Sequence, residues 1–100
     1  MSFWVYMLLC ADNSFYVGHT DKVEARIAAH QAGETPGYTQ SRRPVEVVFV
    51  QEFPTRLEAL ESERQDKGWS RAKKAALVRG DWDAIERLAK NHEEALPSAP

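Results

Sequence analysis

This sequence has few of the features that mark exported, membrane-embedded or cysteine-clustered proteins. It holds a single cysteine, Cys10, which excludes an intrachain disulfide and a cysteine-rich metal cluster. Its longest apolar run, at 3–10, covers about eight residues, far fewer than the roughly 20 that a membrane helix needs. Neither a basic segment nor a small-residue cleavage site flanks this run, so we expect no signal peptide and no membrane contact. The expected location is therefore the cytoplasm.

A strong charge of either sign is also missing, because 13 Lys and Arg oppose 15 Asp and Glu for a net charge of −2. With 100 residues, 43% of them hydrophobic, the chain has the composition of one small folded domain. We expect that domain at 1–95 and a flexible C-terminal tail at 96–100. Basic residues nevertheless gather at 42–43 and 64–79. Such a stretch is either a solvated helix face or a surface for phosphates.

Hydrophobic patterning predicts three strands and four helices in the order β-β-α-β-α-α-α. Strands are expected at 3–10, 15–18 and 45–51, and helices begin at about 21, 55, 70 and 81. Capping boxes mark the first two helix starts, Asp21 with Glu24 and Thr55 with Glu58. This order favours an α+β fold, a small, three-stranded, mostly antiparallel sheet flanked by helices.

The first two predicted strands form a hairpin that carries Tyr6 on one strand and Tyr16 on the other. Because strand side chains alternate, the two tyrosines share a face only when the loop holds an odd number of residues. Pairing Cys10 with Ser14 around a three-residue loop places Gly18 opposite Tyr6 and leaves room beside its ring. Gly18 weakens a strand, which indicates a close approach to the backbone there.

The first predicted helix carries polar residues on the stripe that should face the core. Val23, Arg26, Ile27 and His30 recur at helical spacing. Taken singly, a helix histidine is more often structural, and an arginine can extend past the sheet edge. Burial of the Arg26 charge alone is costly, so Arg26 with His30 one turn later indicates a partner, a cleft or a bound anion.

Val5-Tyr6 followed by Tyr16-Val17-Gly18 resembles the paired GIY and YIG signatures of the GIY-YIG nuclease superfamily. The resemblance continues in four further segments, at 18–30, 38–46, 58–63 and 67–77. The last segment is similar to the small single-domain bacterial branch, which is related to the N-terminal nuclease domain of excinuclease C. Trp4 and Val17 depart from the signature letters, and neither change removes a reactive group.

The resemblance implies a DNA endonuclease of repair or recombination that hydrolyses a phosphodiester with a metal ion. This reaction needs an activated water, charge neutralisation on the phosphoryl oxygens and help for the leaving oxygen. The family pattern implies Glu63, expected as an exposed carboxylate, as the ligand of one Mg²⁺ or Mn²⁺. It implies Arg26 as the cation for the phosphate and Tyr16 as the residue that positions or deprotonates the water. The resemblance further implies that Tyr6 and His30 hold that hydroxyl and relay its proton.

The implied DNA contacts are one tyrosine and a set of basic residues: Tyr38, Arg42, Arg43, Arg64, Lys67, Arg71, Lys73 and Lys74. The near-neutral net charge predicts weak affinity of the isolated domain for DNA, so a protein partner or a special DNA structure is expected. Two alternatives stay open. One is a module on the same fold that binds nucleic acid without cutting it, and the other is a protein-interaction domain that uses the acidic last helix.

Overall fold

The secondary structure follows the predicted order and confirms the α+β class. The computed structural model describes residues 1–95, with side chains as far as residue 88. The elements are β1 (Phe3–Leu9), β2 (Phe15–Thr20), α1 (Val23–Ala32), a 3-10 turn (Gln40–Arg42), β3 (Glu46–Phe53), α2 (Arg56–Lys67), α3 (Arg71–Arg79) and α4 (Trp82–Ala95). The expected tail at 96–100 lies outside the described residues.

The chain divides after Gly68 into two units that are each compact. The first unit contains the sheet, α1 and α2, and the second, from Trp69 onward, contains α3 and α4. In the second unit the Ser70 side chain accepts a hydrogen bond from the Lys73 N–H and caps α3, in agreement with the predicted start of a helix near residue 70. None of the helices in the described range is long and apolar enough to cross a bilayer.

The sheet has the strand order β2-β1-β3, with both neighbouring pairs antiparallel. The hairpin loop holds three residues, 11–13, because the Cys10 N–H donates to the Ser14 carbonyl at 2.9 Å. This register pairs Tyr6 with Gly18 and Leu8 with Tyr16, so both tyrosines lie on one face of the sheet. The predicted register is confirmed.

The tyrosine face of the sheet is covered by α1. Tyr6, Leu8, Cys10 and Val45 form its buried cluster, and Val23 and Ile27 of α1 pack against them together with Tyr16. Burial of these apolar side chains is what holds α1 on the sheet. Helix α2 contacts all three strands, which places its side chains within reach of the sheet.

The two predicted capping boxes have different outcomes. Thr55 caps α2, since its hydroxyl oxygen accepts from the Glu58 N–H at 3.2 Å, which confirms the second box. The first box is wrong, because α1 begins at Val23 and Lys22 is its N-cap without a side-chain bond. Strand β2 continues to Thr20, whose hydroxyl accepts from the Lys22 N–H at 3.0 Å. The turn is therefore closed by the end of the strand rather than by Asp21.

Gly18→Ala tests the close packing between the two strands of the hairpin. A Cβ atom at Gly18 would lie 2.5 Å from the Tyr6 hydroxyl oxygen and 2.6 Å from its Cζ. We expect this variant to lower the free energy of unfolding by about 1–3 kcal/mol, because the Tyr6 ring must move within a packed face. Chemical denaturation measures the loss. Gly68→Ala is the matched control, since Gly68 has a φ of −78° and its nearest neighbouring atom would be 3.5 Å away. Equal losses in the two variants would contradict this packing.

Candidate active site

The hairpin and α1 bring Tyr6, Tyr16 and His30 into one cluster. The Tyr6 hydroxyl lies 2.9 Å from His30 Nε2, and both residues are almost fully buried. The Tyr16 ring centroid lies 6.4 Å from that of Tyr6 and 5.1 Å from that of His30. Three predicted site residues from two strands and a helix thus contact one another, which their spacing in the sequence alone did not require.

Burial determines the protonation states of Tyr6 and His30. It raises the pKa of Tyr6 well above its usual range, and the nearby Tyr16 adds to the shift, so Tyr6 stays protonated. Burial also lowers the pKa of His30, and the charge of Arg26 lowers it further. His30 is therefore neutral near pH 7. Tyr16 is only half-buried, and its hydroxyl makes no hydrogen bond within the described part of the chain. The Tyr16 hydroxyl is thus the one available to a water molecule.

Arg26 lies on the stripe of α1 that was expected to face the core, but its side chain is exposed to solvent. Along the α1 stripe, His30 is buried while Val23 and Ile27 are half-buried. An exposed guanidinium keeps its hydration and avoids the cost of burying an unpaired charge. Its charge still acts on the cluster, because it adds to the burial that lowers the pKa of His30 and partly opposes the burial that raises the pKa of Tyr6.

The three glutamates of α2 differ sharply in their surroundings. Glu58 closes the capping box, Glu61 is exposed, and Glu63 is only 7% exposed. The expectation of an exposed Glu63 is wrong, because α2 turns this carboxylate toward the sheet. There the Nδ1–H of His19 donates to Oε1, and Lys67 Nζ donates to Oε2 at 3.1 Å.

Glu63 is ionised in this setting. Burial by itself raises the pKa of a carboxyl, but the hydrogen bonds from His19 and Lys67 outweigh it and lower the pKa of Glu63. His19 follows Gly18 in β2, so it lies on the face opposite to the two tyrosines. The carboxylate therefore hydrogen-bonds to residues outside the tyrosine cluster, although its charge helps to raise the pKa of Tyr6.

The donor set at Glu63 is compatible with a hard divalent cation that keeps most of its water. Among the described residues, no group of three or more His, Cys, Asp and Glu could hold a metal ion. Mg²⁺ is commonly bound by one or two carboxylates together with waters and substrate phosphate. Glu63 supplies one ionised carboxylate of that kind, and in the free protein both of its oxygens are hydrogen-bonded by His19 and Lys67.

Tyr38 and Arg42 cover the Tyr16 side of the cluster. The Tyr38 ring stacks on Tyr16 with centroids 5.9 Å apart, and the Arg42 guanidinium lies 3.8 Å from the Tyr38 ring centroid. Arg42 also donates from Nε to an Asp12 carboxylate oxygen at 3.1 Å and from Nη1 to the Tyr38 carbonyl at 2.9 Å. The predicted DNA contacts Tyr38 and Arg42 therefore already bind other parts of the protein.

The remaining predicted DNA contacts lie in different places. Arg43 donates to the Gln40 carbonyl at 3.2 Å and is exposed. Arg64 and Lys67 lie on α2, where Lys67 pairs with Glu63. The others belong to the second unit, namely Arg71, Lys73 and Lys74. Lys73 Nζ lies 4.4 Å from the Trp69 ring centroid, a cation–π contact.

Sequence reasoning missed two residues of the site, His19 and Thr39. Thr39 is 1% exposed, and its hydroxyl lies 2.7 Å from His30 Nδ1. It occurs in the 38–46 segment of the family resemblance, but nothing in a loop threonine indicates a buried partner on α1. His19 adjoins Gly18, and only the approach of α2 gives it a carboxylate.

Comparison with known proteins agrees with this geometry. Residues 2–76 match the family model described as the GIY-YIG catalytic domain. A UPF0213 protein of Natronomonas pharaonis is 47% identical over 75 residues, which are 75% of this chain and 88% of that protein. One from Staphylococcus haemolyticus is 44% identical over 75 residues, 75% of this chain and 92% of its own. The solution NMR structure of the UPF0213 protein from Bacillus halodurans covers 79% of this chain and 84% of its own, with a TM-score of 0.53 and 40% identity. The chain therefore belongs to the GIY-YIG family.

Proposed function

We propose that this protein is a metal-dependent endonuclease that hydrolyses a phosphodiester bond in DNA. The observation that carries the proposal is the cluster of Tyr6, Tyr16 and His30 on one sheet face, with the charge of Arg26 acting on it. Membership of a family whose model is a catalytic domain supports the same reading. The proposal includes two further points. The protein is related to the nuclease domain of excinuclease C, and it acts in DNA repair or recombination.

The side chains divide the work of hydrolysis according to their surroundings. Tyr16, whose hydroxyl has no partner within the described residues, positions the attacking water and takes part in its deprotonation. Tyr6 and His30 are joined by a hydrogen bond and lie beside Tyr16, but contrary to expectation neither bonds to its hydroxyl, so a water molecule would have to link Tyr16 to them for the proton to move on. Arg26, exposed and always charged, binds the phosphate through its planar fork of donors.

Glu63 is the proposed protein ligand of one Mg²⁺ or Mn²⁺. A bound divalent ion supplies positive charge beside the phosphoryl oxygens, where negative charge develops. The low pKa of Glu63 means that no proton has to leave the carboxylate before the ion binds near pH 7. In the free protein the Lys67 ammonium group donates to one oxygen of the Glu63 carboxylate and so fixes the orientation of that carboxylate.

We further propose that DNA is bound by Tyr38, Arg42, Arg43, Arg64, Lys67, Arg71, Lys73 and Lys74. Cations that already pair within the protein neutralise fewer phosphates, and Arg42 and Lys67 are both paired. Affinity depends on the number of phosphates neutralised. The isolated protein is therefore expected to bind DNA weakly and to gain from a protein partner or from a special DNA structure.

A nucleic-acid-binding module without cleavage is the second candidate. The surroundings of Glu63, the proposed metal ligand, favour this candidate. His19 and Lys67 already hydrogen-bond to both of its carboxylate oxygens, which a metal ion would need. The cluster of Tyr6, Tyr16 and His30 favours the enzyme instead. Binding of DNA without cleavage does not need a buried phenol that is hydrogen-bonded to an imidazole.

A nicking assay distinguishes the two candidates. Supercoiled plasmid and branched DNA are incubated with the protein, with and without Mn²⁺. We expect cutting only with Mn²⁺, and a fall of at least about 100-fold in rate for Tyr16→Phe, which removes only the hydroxyl. Phe15→Leu, on the neighbouring position of β2, is the control for general damage to the strand. Retained DNA binding without cutting of any substrate would support the non-cleaving module.

A further inference from the structure

Thr39 reaches the site from the loop after α1. Its backbone carbonyl accepts from the Arg42 N–H at 3.0 Å, which holds Thr39 in the 3-10 turn. Its hydroxyl lies 2.7 Å from His30 Nδ1, and His30 Nε2 lies 2.9 Å from the Tyr6 hydroxyl. Thr39, His30 and Tyr6 therefore form one chain of hydrogen bonds, and each of the three is at most 2% exposed.

Counting protons leaves two arrangements for this chain. A neutral imidazole carries one N–H, and Tyr6 and Thr39 each carry one O–H. In the first arrangement Tyr6 donates to Nε2, and Nδ1–H donates to Thr39. In the second, Thr39 donates to Nδ1, and Nε2–H donates to Tyr6. Because neither hydroxyl has another partner in the described part of the chain, each arrangement leaves one hydroxyl proton unpaired.

The chemistry of the two hydroxyls favours the first arrangement. A phenol is the more acidic group and the stronger donor, whereas an alcohol oxygen is the stronger acceptor. The stronger donor then meets the strongest acceptor of the chain, the imidazole lone pair, and the alcohol accepts from the imidazole N–H. The unpaired proton belongs to Thr39, the weaker donor of the two. Burial supports this assignment, because it keeps Tyr6 protonated and His30 neutral.

We propose that Thr39 is a positioning residue that holds His30 as the Nδ1–H tautomer and so aims the basic Nε2 lone pair at the Tyr6 hydroxyl. The role in catalysis rests on the proposed function, while the tautomer does not. The partner of one ring nitrogen generally decides which nitrogen carries the proton. Without Thr39, a buried Nδ1–H would have no acceptor, so this tautomer would lose one of the two hydrogen bonds that favour it.

The tautomer is measured by ¹⁵N NMR on histidine-labelled protein, with the His30 signals assigned by their loss in His30→Asn. In the wild-type protein near pH 7 we expect protonated Nδ1 and unprotonated Nε2. Thr39→Ser, which keeps the hydroxyl, should retain this spectrum, and Thr39→Val should shift both ring nitrogens toward averaged values. Thr35→Val, the same change in the same loop, should leave His30 as it is. Protonated Nε2 in the wild-type protein, or an unchanged His30 spectrum in Thr39→Val, would overturn the proposal.

Cleavage kinetics test the catalytic part separately. We expect Thr39→Val to lower kcat by about 10–100-fold with little change in KM, because a misaligned reacting group slows the chemical step, and Thr39→Ser to restore most of it. Equal kcat values for Thr39→Val and wild type would overturn the positioning role. A wild-type protein that shows the expected tautomer but cuts no DNA would count against the proposed function alone.

Discussion

Glu63→Gln is expected to abolish divalent-ion binding and DNA cleavage while the protein remains folded. The amide keeps the size of the side chain but loses the negative charge that a hard cation requires. Because Glu63 is buried and accepts from His19 and Lys67, we also expect the free energy of unfolding to fall by about 1–3 kcal/mol. Mn²⁺ titration followed by NMR line broadening, the nicking assay and thermal melts measure the three effects.

Glu61→Gln is the matched control, since Glu61 is exposed two residues earlier on the same helix. It should bind Mn²⁺ and melt as the wild-type protein does. An unchanged Mn²⁺ titration in Glu63→Gln would show that another carboxylate binds the ion.

The same carboxylate makes stability depend on pH. The pKa of Glu63 is lower in the folded protein than its ordinary value of 4.5, so folding favours the ionised form. The stabilisation is fully present above about pH 4.5 and is lost as the pH falls through the lower folded pKa. The difference in melting temperature between the wild-type protein and Glu63→Gln should therefore shrink in acid. Thermal melts between pH 7 and pH 3 measure it.

Arg26→Ala is expected to reduce cleavage by orders of magnitude with little change in the melting temperature. The side chain is exposed, so its removal opens no cavity in the core. Loss of the guanidinium removes the proposed phosphate ligand. Arg26→Lys keeps the charge without the planar fork, so we expect it to restore only a little activity and to melt like Arg26→Ala.

The pKa of His30 provides a readout for Arg26 that does not depend on cleavage. Burial and the charge of Arg26 both lower this pKa, so Arg26→Ala should raise it, whereas Arg26→Lys should leave it low. NMR titration of His30 measures the shift. Arg56→Ala, another exposed arginine in the same unit, is the control and should change neither the pKa nor the cutting rate. A much lower melting temperature of Arg26→Ala with normal cutting would place Arg26 in the scaffold.

Local chemistry accounts for the part of the fold that the sequence predicts. The order of elements, the three-residue hairpin loop and the caps at Thr55 and Ser70 all depend on residues close together in the chain. The register follows in turn, because the loop length decides which side chains share a face. The candidate residues Tyr6 and Tyr16 are therefore placed by local rules.

Packing between distant segments decided the rest. The stripe on α1 predicts which side chains lie toward the sheet, but the burial of each one depends on how the helix meets it, and Arg26 remains in solvent. Glu63 looks the same as Glu61 in the sequence, and only the approach of α2 to β2 buries it beside His19. Thr39 gains its role because the loop returns to α1. The sequence by itself thus determined the elements, the hairpin register and the family motifs. The tertiary structure decided the protonation states and partners, because desolvation and hydrogen bonding depend on residues that meet only after folding.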